Sequence, residues 1–372
     1  MKSREANMIY KREYMRQAID TLNNYKQWRK LYDELAAHDK SPFFTPQYYQ
    51  AYLEVENHPV QCFWAYQDED NYLFYPFLIR RINALGYELD DDYYDLCGAY
   101  GYNGPLGKVA DPSFITLFNN ELRSYLQANN VVTEFVRYCP LIGNRKYHNY
   151  TEQVHVLENV YVELSQGLDY VWEREFEYRV RKTVRKGASY NLETVFLSGE
   201  HIDADAIHEF FAIYNSTMQR NEADDYYYFD LAFFTKLVEV MKDKVLLGTT
   251  YLGDKAISTE LLLIDEQLCF GFLGGTLADY YEYKANTFQR WELIKYIGGL
   301  GIQQYSMGGG VRGSGLHRFK LSFAKNCDNP FYIGTKVHNP EVYSEILAQW
   351  QHKYPKAAEK HKGKLQGYRS LT

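Results

Sequence analysis

Cysteine is scarce in this chain, and its spacing suits no structural role. The five cysteines among 372 residues are an odd number, and no two of them form a CxxC pair. These features argue against a disulfide framework and against a zinc ribbon, and they are typical of proteins from a reducing compartment. No secretory leader is recognisable, and no apolar run is long enough to cross a bilayer. We therefore predict a cytoplasmic protein.

Positive charge is also in deficit. The sequence has 41 lysines and arginines against 48 aspartates and glutamates, which gives a net charge of −7. A net acidic chain is a poor general binder of nucleic acid or of anionic membranes, because like charges repel. The sequence therefore predicts no DNA partner, and it limits any contact with other nucleic acid to a local basic patch.

Aromatic residues, in contrast, are abundant. They make up 17% of the chain, and 37 of them are tyrosines. Tyrosine combines apolar area with a polar tip, so this composition suits a cleft for sugars, peptides or nucleotides. A compositional bias of the lineage is the alternative explanation.

The most informative stretch is glycine-rich and spans residues 306–323. Five glycines occupy eight positions, 308–315, after a short apolar strand candidate at 301–307. Glycine lets the backbone approach a ligand closely or adopt conformations that other residues avoid. The stretch ends in Arg318-Phe319-Lys320, where two cations flank an aromatic ring. This pattern favours a seat for an anionic or carbonyl-bearing group, and a flexible loop followed by an ordinary surface helix is the alternative.

The order of predicted elements repeats. The first half contains a hairpin at 60–82, a tyrosine-glycine loop at 95–105, a helix at 111–129 and a strand at 131–138. The second half contains antiparallel strands at 245–273, an aromatic loop, a helix at 287–298 with Asn286 as its N-cap, and the strand at 301–307. The pattern predicts an α/β (α+β) fold of two tandem units, 1–158 and 159–337, each a mixed, mostly antiparallel sheet flanked by helices. The basic tail at 356–372 is predicted to be mobile.

A long basic helix is predicted at 168–190. Arg174, Arg181 and Arg185 lie on one stripe at helical spacing, with Tyr178 between them. The stripe is either a solvated face or a phosphate-binding face.

Several local motifs occur together and in order along most of the chain, from about Phe43 to Val337. They are Tyr100-Gly101-Tyr102-Asn103-Gly104-Pro105, Val136-Arg137-Tyr138-Cys139-Pro140-Leu141, Arg179-Val180-Arg181-Lys182-Thr183, Thr217-Met218-Gln219-Arg220, Asn286 with Trp291, and Gly308-Gly309 ahead of Arg318-Phe319-Lys320-Leu321-Ser322-Phe323. Together they resemble the FemABX-like branch of the GNAT acyltransferase superfamily.

The resemblance implies two GNAT-like domains, with the segment 338–372 returning to the first. It implies acyl or aminoacyl transfer to an amine of a cell-wall or surface-polysaccharide precursor, which is a small-molecule or lipid-linked glycan or peptide. It implies no tightly bound cofactor and no metal, because the acyl donor, aminoacyl-tRNA or acyl-CoA, is a co-substrate. tRNA and a peripheral membrane contact are the further candidate partners.

The resemblance also implies roles for individual residues. Phe319 and Lys320 correspond to the pair beside the acyl carbonyl, and Lys320 is expected to neutralise the oxyanion. Arg220 and Tyr226 correspond to contacts with the acceptor phosphates, and Tyr100 or Tyr102 to a tyrosine of the first domain. The remaining candidates for substrate binding are Arg137, Gly308, Gly309 and Arg318, and those for holding the phosphates of the donor are Arg181, Arg185, Lys186 and Asn286.

Two departures keep the acyl donor open. The chain has no long charged segment for the helical arm of FemA and FemB, and Arg185-Lys186-Gly187-Ala188 is only a partial match to the CoA-binding loop of other GNAT enzymes. Three hypotheses therefore stand: an aminoacyltransferase, an N-acyltransferase that uses acyl-CoA or acyl carrier protein on an amino sugar, and a binding module of the same fold without catalytic activity.

Overall fold

The computed structural model describes residues 15–325 and 327–372. That part of the chain contains thirteen strands: β1 (Arg16–Thr21), β2 (Val60–Asp68), β3 (Asn71–Arg81), β4 (Tyr94–Cys97), β5 (Leu106–Val109), β6 (Val131–Arg137), β7 (Glu152–Glu163), β8 (Leu192–Ser198), β9 (Val245–Leu252), β10 (Lys255–Asp265), β11 (Leu268–Thr276), β12 (Gln304–Gly310) and β13 (Asp328–Val337).

The main helices of the described residues are α1 (Lys26–Asp33), α2 (Pro46–Tyr52), α3 (Pro112–Ala128), α4 (Tyr178–Ala188), α5 (Ala204–Arg220), α6 (Leu231–Met241), α7 (Ala285–Gly299), α8 (Gly315–Leu321), α9 (Pro340–Lys353) and α10 (Pro355–Lys360). Where the chain is described, none of its helices has both the length and the apolar character that crossing a membrane requires.

Internal contacts divide the chain into two compact units. The first contains the described residues up to Leu35 together with Asn57–His155 and Tyr332–Thr372, and the second contains Ala36–Glu56 and Val156–Phe331. The sequence assigns residues 36–56 to the first unit, but in the structure they belong to the second. The reason is aromatic packing, because Phe43 and Tyr48 both lie against Phe272 of β11.

The two units repeat one sheet topology. The first orders its strands β1-β2-β3-β4-β6-β13, with β5 on β3, and the second orders them β8-β9-β10-β11-β12-β7. In each unit one neighbouring pair is parallel, β4 with β6 and β11 with β12, and the other pairs along the order are antiparallel. A helix, α3 or α7, connects the parallel pair. The predicted fold class of mostly antiparallel sheets flanked by helices is confirmed.

The connecting helix of the first unit begins where the sequence predicts. The Asp111 side chain accepts a hydrogen bond from the Ser113 backbone, and Pro112 occupies the first helical position. Its apolar face buries Phe114, Phe118 and Leu122 in the core of that unit. The N-terminal signals and the apolar face therefore specify this helix locally.

The connecting helix of the second unit differs in its first residues. It begins at Ala285, and Lys284, which has a left-handed backbone with φ of 62°, is its N-cap residue. Asn286 is therefore the second residue of the helix and not its cap, and the prediction that Asn286 caps the helix is wrong.

The predicted basic helix at 168–190 is interrupted. Residues 168–175 form one α turn and a short π-helical segment, Phe176 then has an extended backbone, and α4 begins at Tyr178. Phe176 is buried against Trp291 and Phe323, so tertiary packing overrides the helical periodicity. The arginines before and after the break do not share one continuous helical stripe.

The predicted mobile tail is well packed. Tyr368 is fully buried in the first unit, and its hydroxyl lies 2.8 Å from both Asp95 Oδ2 and Thr133 Oγ1. The Trp350 indole donates a hydrogen bond to the Ser370 carbonyl. The prediction of mobility is wrong because the tail contains a buried aromatic anchor among its basic residues.

Asp95 provides a test of this anchoring. Its carboxylate is fully buried, accepts hydrogen bonds from Arg80 and Arg369 at 2.9 and 2.6 Å, and also binds the Tyr368 hydroxyl. Asp95→Ala would leave two partly buried guanidinium groups without this carboxylate, so we expect the free energy of unfolding to fall by about 3 kcal/mol in urea titrations.

The matched control is Asp92→Ala, which removes an exposed carboxylate paired with exposed Arg81 and should change stability little. Burial alone raises the pKa of Asp95, but Arg80 and Arg369 outweigh it and hold that pKa below its usual range. The stabilisation that Asp95 provides is therefore present above the pKa of about 3.9 that this carboxyl has in the unfolded chain. It is lost as the pH falls below that value. Equal effects of the two substitutions would contradict this account.

Candidate active site

The candidate site lies where two parallel strands of the second unit separate. β11 and β12 pair over three residue pairs, from Leu268 with Gln304 to Phe270 with Ser306. Beyond that point β11 continues along β10, while Gly309 and Gly310 of β12 pair with β7. In the described residues the two strands therefore diverge after Phe270 and Ser306, which opens the sheet at the carboxyl ends of both strands.

Backbone conformation or close packing explains each of the three glycines at the end of β12. Gly308 has a φ of 76°, which favours glycine, and a Cβ there would lie 3.4 Å from Lys320 Nζ. A Cβ on Gly309 would lie 2.3 Å from a methyl carbon of Leu157, and one on Gly310 would lie 3.1 Å from the backbone of His317. Glycine at 310 thus allows α8 to approach the strand closely, and glycine at 309 leaves room for Leu157 of β7. The close approach of α8 places Lys320 beside the end of β12.

Helix α8 carries Lys320 to the point of divergence. The Ser314 hydroxyl accepts a hydrogen bond from the His317 backbone at 3.2 Å and caps the helix. His317 is buried, and its Nδ1 accepts a hydrogen bond from the Gly313 backbone at 3.2 Å. From the last turn of this helix, Lys320 Nζ donates a hydrogen bond of 2.8 Å to the Gly309 carbonyl.

A polar network that is mostly buried adjoins the lysine. Glu260 of β10, Arg290 of α7 and Tyr305 of β12 contact one another. Arg290 Nη1 donates to the Tyr305 hydroxyl at 2.5 Å, the hydroxyl donates to Glu260 Oε1 at 2.8 Å, and Arg290 Nη2 lies 3.2 Å from Glu260 Oε2. A Cβ on Gly271 would lie 2.9 Å from Glu260 Oε1, so the network reaches the backbone of β11 where that strand leaves β12.

The surroundings change how Lys320 titrates. Burial and the nearby Arg290 guanidinium lower the pKa of Lys320 to about 7, although the Glu260 carboxylate raises it in part. Although burial lowers the pKa of Arg290, Glu260 and Tyr305 raise it overall, so this guanidinium stays charged. At neutral pH the lysine therefore exists as both amine and ammonium, which allows it to accept a proton or to stabilise negative charge.

A sequence comparison identifies this region. The profile of the acetyltransferase (GNAT) domain matches residues 174–321, a range that contains Glu260, Arg290, Tyr305 and Lys320. The chain carries a GNAT acyltransferase domain. The predicted enzyme class, an acyltransferase, is confirmed by this match. No curated protein sequence matches the chain at a significant level.

Solved structures share the fold of most of the chain. FemX is similar with a TM-score of 0.65 and 11% sequence identity, over 88% of this chain and 99% of that one. L-PGS from Bacillus licheniformis is similar with a TM-score of 0.52 and 12% identity, over 82% and 96%. The C-terminal domain of a protein assigned as a lysylphosphatidylglycerol synthetase from Agrobacterium fabrum has a TM-score of 0.51 and 12% identity, over 74% and 84%. In fold, the chain is a tandem GNAT protein of the FemABX-like type.

The other predicted site residues of the GNAT domain lie on several elements and make different contacts. Phe319 is partly buried and packs on Phe323 of the core. Exposed Arg318 donates to the Gly313 carbonyl and thereby braces the glycine turn. Arg220 lies at the far end of β11, where it donates to the Thr276 carbonyl at 3.1 Å.

One tyrosine, Tyr226, is near Arg220 in sequence, and another, Tyr281, is near it in space. Tyr226 is exposed in the loop that follows α5. The Arg220 guanidinium lies 5.3 Å from the ring centre of Tyr281, which was not among the predicted residues. This end of β11 therefore presents a cation together with an aromatic ring.

The four residues predicted to hold the phosphates of the donor differ in what their side chains contact. Arg181 points inward and donates to the carbonyls of Trp172 and Phe176, which the helix break leaves without helical partners. Arg185 and Lys186 are exposed, beside the rings of Trp172 and Tyr190 respectively. Asn286 is exposed near the start of α7.

Three predicted residues belong to the first unit. Tyr100 and Tyr102 are partly buried in the tyrosine-glycine loop, and Arg137 ends β6. There the parallel pair β4 and β6 also stops, after Leu96 and Glu134. The loop returns along β6: the Asn103 backbone donates to the Arg137 carbonyl at 2.8 Å, and the Asn103 side chain accepts from the Arg137 backbone at 2.7 Å.

The loop therefore occupies the position that corresponds, in the GNAT domain, to the separation of β11 and β12. A Cβ on Gly98 would lie 2.4 Å from Asn103 Cγ, which explains the glycine there and shows how tightly the loop is packed.

Sequence reasoning missed Glu260, Arg290 and Tyr305. Each stands on a different element, so no local motif joins them. The available signal was a charged residue inside an apolar strand, since Glu260 is the one charged residue between Lys255 and Asp265 of β10. No group of histidine, cysteine or acidic side chains in residues 15–325 and 327–372 is arranged to hold a metal ion.

Proposed function

We propose that this protein transfers an aminoacyl group to an amine of a cell-wall or surface-polysaccharide precursor, with Lys320 at the reacting carbonyl. The single observation that carries the proposal is the position of the Lys320 amine beside Gly308 and Gly309, where β11 and β12 separate. The fold shared with FemX and with lysylphosphatidylglycerol synthetase proteins supports the aminoacyl donor.

The chemistry assigns one proton to the lysine. The acceptor amine attacks the acyl carbonyl, forming a C–N bond and a tetrahedral carbon whose oxygen carries the charge. Neutral Lys320 takes the proton that the amine must lose, and the ammonium so formed lies close to the oxyanion. The C–O bond to the donor then breaks as the carbonyl reforms, and the leaving alkoxide takes the proton back from Lys320, which becomes neutral again.

The neighbouring network has a supporting role in this proposal. Burial lowers the pKa of Lys320 and the charge of Arg290 lowers it further, so that the amine form is available near neutral pH. Glu260 holds Arg290 in place and compensates its charge at 3.2 Å. Neither residue needs to touch the acceptor, so both are proposed as positioning residues.

A second candidate is an N-acyltransferase that takes its acyl group from a CoA thioester and transfers it to an amino sugar. The observation that favours it is the match of residues 174–321 to an acetyltransferase domain. The same lysine would serve, with a thiolate as the leaving group. The observation against the non-catalytic alternative is the position of the Lys320 amine at the glycine-rich end of β12, together with burial that lowers its pKa to about 7.

A thermal-shift panel separates the candidates. We expect an aminoacyl-tRNA at about one hundred times its Kd to stabilise the protein by about 2.7 kcal/mol, which corresponds to a Tm increase of about 3 °C. The increase should shrink in high salt, because phosphate contacts release counterions. Uncharged tRNA and free CoA are the controls. Stabilisation by acetyl-CoA and not by aminoacyl-tRNA would replace the first proposal with the second, and no response to either donor would contradict both.

A further inference from the structure

The short helix that carries Lys320 depends on contacts made by its first turn. α8 has seven residues, too few for a helix to be stable in water by itself, so groups outside the helix must hold it. The first turn lies against β12, where a Cβ on Gly310 would lie 3.1 Å from the backbone and the Cβ of His317. His317 is 3% exposed and lies one turn before Lys320. The fixed end of the helix is therefore the end that contains this histidine.

His317 contacts the glycine turn with both its backbone and its side chain. The His317 backbone N–H donates to the Ser314 hydroxyl at 3.2 Å, and the Gly313 backbone N–H donates to His317 Nδ1, also at 3.2 Å. This reciprocal pair is similar to a capping box, with an imidazole in the place of the glutamate or glutamine that usually reaches back. The Arg318 guanidinium donates to the Gly313 carbonyl, so both polar groups of Gly313 are held by side chains of α8.

The contact with Gly313 determines which nitrogen of the imidazole carries the proton. A ring nitrogen that accepts a hydrogen bond has no proton, so neutral His317 is protonated on Nε2. Nε2 has no hydrogen-bond partner in the part of the chain that the structure describes, and it lies 3.7 Å from Asp328 Oδ2. Asp328 also lies 3.6 Å from Arg312, which pairs with Glu158 at 2.7 Å. The negative charge of Asp328 favours a proton on Nε2 and so leaves Nδ1 able to accept.

We propose that His317 is a positioning residue that holds Lys320 at the reacting carbonyl through the glycine turn, an inference that rests on the proposed function of Lys320. One end of α8 places Lys320 Nζ 2.8 Å from the Gly309 carbonyl, and the other end is fixed by His317 against Gly310 and Gly313. Without the imidazole acceptor, the Gly313 N–H loses its partner and the first turn of α8 is released. A displacement of about 1 Å at a reacting group costs about a hundredfold in rate.

Two substitutions separate the hydrogen-bond acceptor from the bulk of the side chain. His317→Leu fills a similar volume without an acceptor, whereas His317→Asn places an amide oxygen at the position that Nδ1 has in histidine. We expect His317→Leu to lower kcat about tenfold to a hundredfold with KM changed less than about threefold, and His317→Asn to lower kcat only about threefold. Turnover is measured with aminoacyl-tRNA or acetyl-CoA, whichever stabilises the protein in the thermal-shift panel. His208→Leu, which changes an exposed histidine of α5, is the matched control and should be unaffected.

Two further measurements need no acyl donor, which separates this inference from the proposed function. In His317→Leu the midpoint of the Lys320 amine, followed by 15N nuclear magnetic resonance, should rise from about 7 toward the unperturbed value of about 10.4, because a displaced lysine is better hydrated. In the unchanged protein at neutral pH, the ring 15N signals of His317 should show a proton on Nε2 alone. Their absence in His317→Asn assigns these signals, so this measurement does not require His317→Leu to fold.

Three results would overturn the inference. The first is a proton on Nδ1 of His317 at neutral pH, because that nitrogen could then not accept from Gly313. The second is a folded His317→Leu protein that keeps both its kcat and the low midpoint of Lys320, with folding checked by unfolding curves. The third is an equal loss of kcat in His317→Leu and His317→Asn, which would exclude the acceptor as the cause. Near-normal turnover of Lys320→Ala would instead contradict the proposed function.

Discussion

Lys320→Ala should lower kcat by about two to three orders of magnitude while the Kd of the acyl donor changes only a few-fold. The lysine amine lies at the divergence of β11 and β12 and donates 2.8 Å to the Gly309 carbonyl. Removing it takes away both the proton acceptor for the amine and the charge beside the oxyanion. Single-turnover rates measured with the donor that the thermal-shift panel selects provide the test.

Two further variants sharpen the result. Lys320→Arg keeps a positive charge but cannot release a proton near neutral pH, so it should be about as slow as Lys320→Ala if the lysine acts as a base. Lys325→Ala, which removes an exposed lysine shortly after α8, is the matched control and should be unaffected. A Lys320→Ala protein with near-normal turnover would exclude this residue from the mechanism.

The pH dependence of the rate should have an acidic limb near pH 7. Since the amine form of Lys320 is the active one and its pKa is about 7, the rate should fall about tenfold for each pH unit below that value. Between pH 7.5 and 5.5 the expected loss is therefore about twenty-five-fold. The rate rises with pH because protonation of Lys320 at lower pH removes the group that accepts the proton, and raising the pH restores it.

The assignment of this limb to Lys320 is tested by its disappearance. The residual rate of Lys320→Ala should change little across the same range, after correction for titration of the acceptor amine. Because Glu260 raises the pKa of Lys320, Glu260→Gln should move the limb to lower pH in protein that remains folded. A rate that falls as the pH rises through 7 would show that the ammonium form is active and would contradict the base role.

The parts of the site that are local in sequence could be predicted, and those assembled from distant segments could not. The glycines at 308–310 and Lys320 lie within one short stretch, so their contact needs only a strand, a turn and a helix. Glu260, Arg290 and Tyr305 come together only after β10, α7 and β12 have packed. Their identity as a network depends on tertiary distance, which no local pattern contains.

The errors in the predicted fold have the same origin. Burial of Phe176 interrupts a helix that periodicity alone would continue, and burial of Tyr368 anchors a tail whose composition is typical of mobile segments. The duplicated element order was visible because alternation and helical periodicity are local. The contacts of Asn103, which distinguish the first unit from the second, could not be predicted from the sequence, because they join a loop to the distant strand β6.

The central claim is that the Lys320 amine titrates near neutrality. Nuclear magnetic resonance of protein with 15N-labelled lysine side chains measures this directly, with the Lys320 signal assigned by its absence in Lys320→Arg. The account predicts a midpoint near pH 7 for that signal, well below the value of about 10.4 for an unperturbed lysine. A Lys320 signal with a midpoint near that unperturbed value would contradict the account.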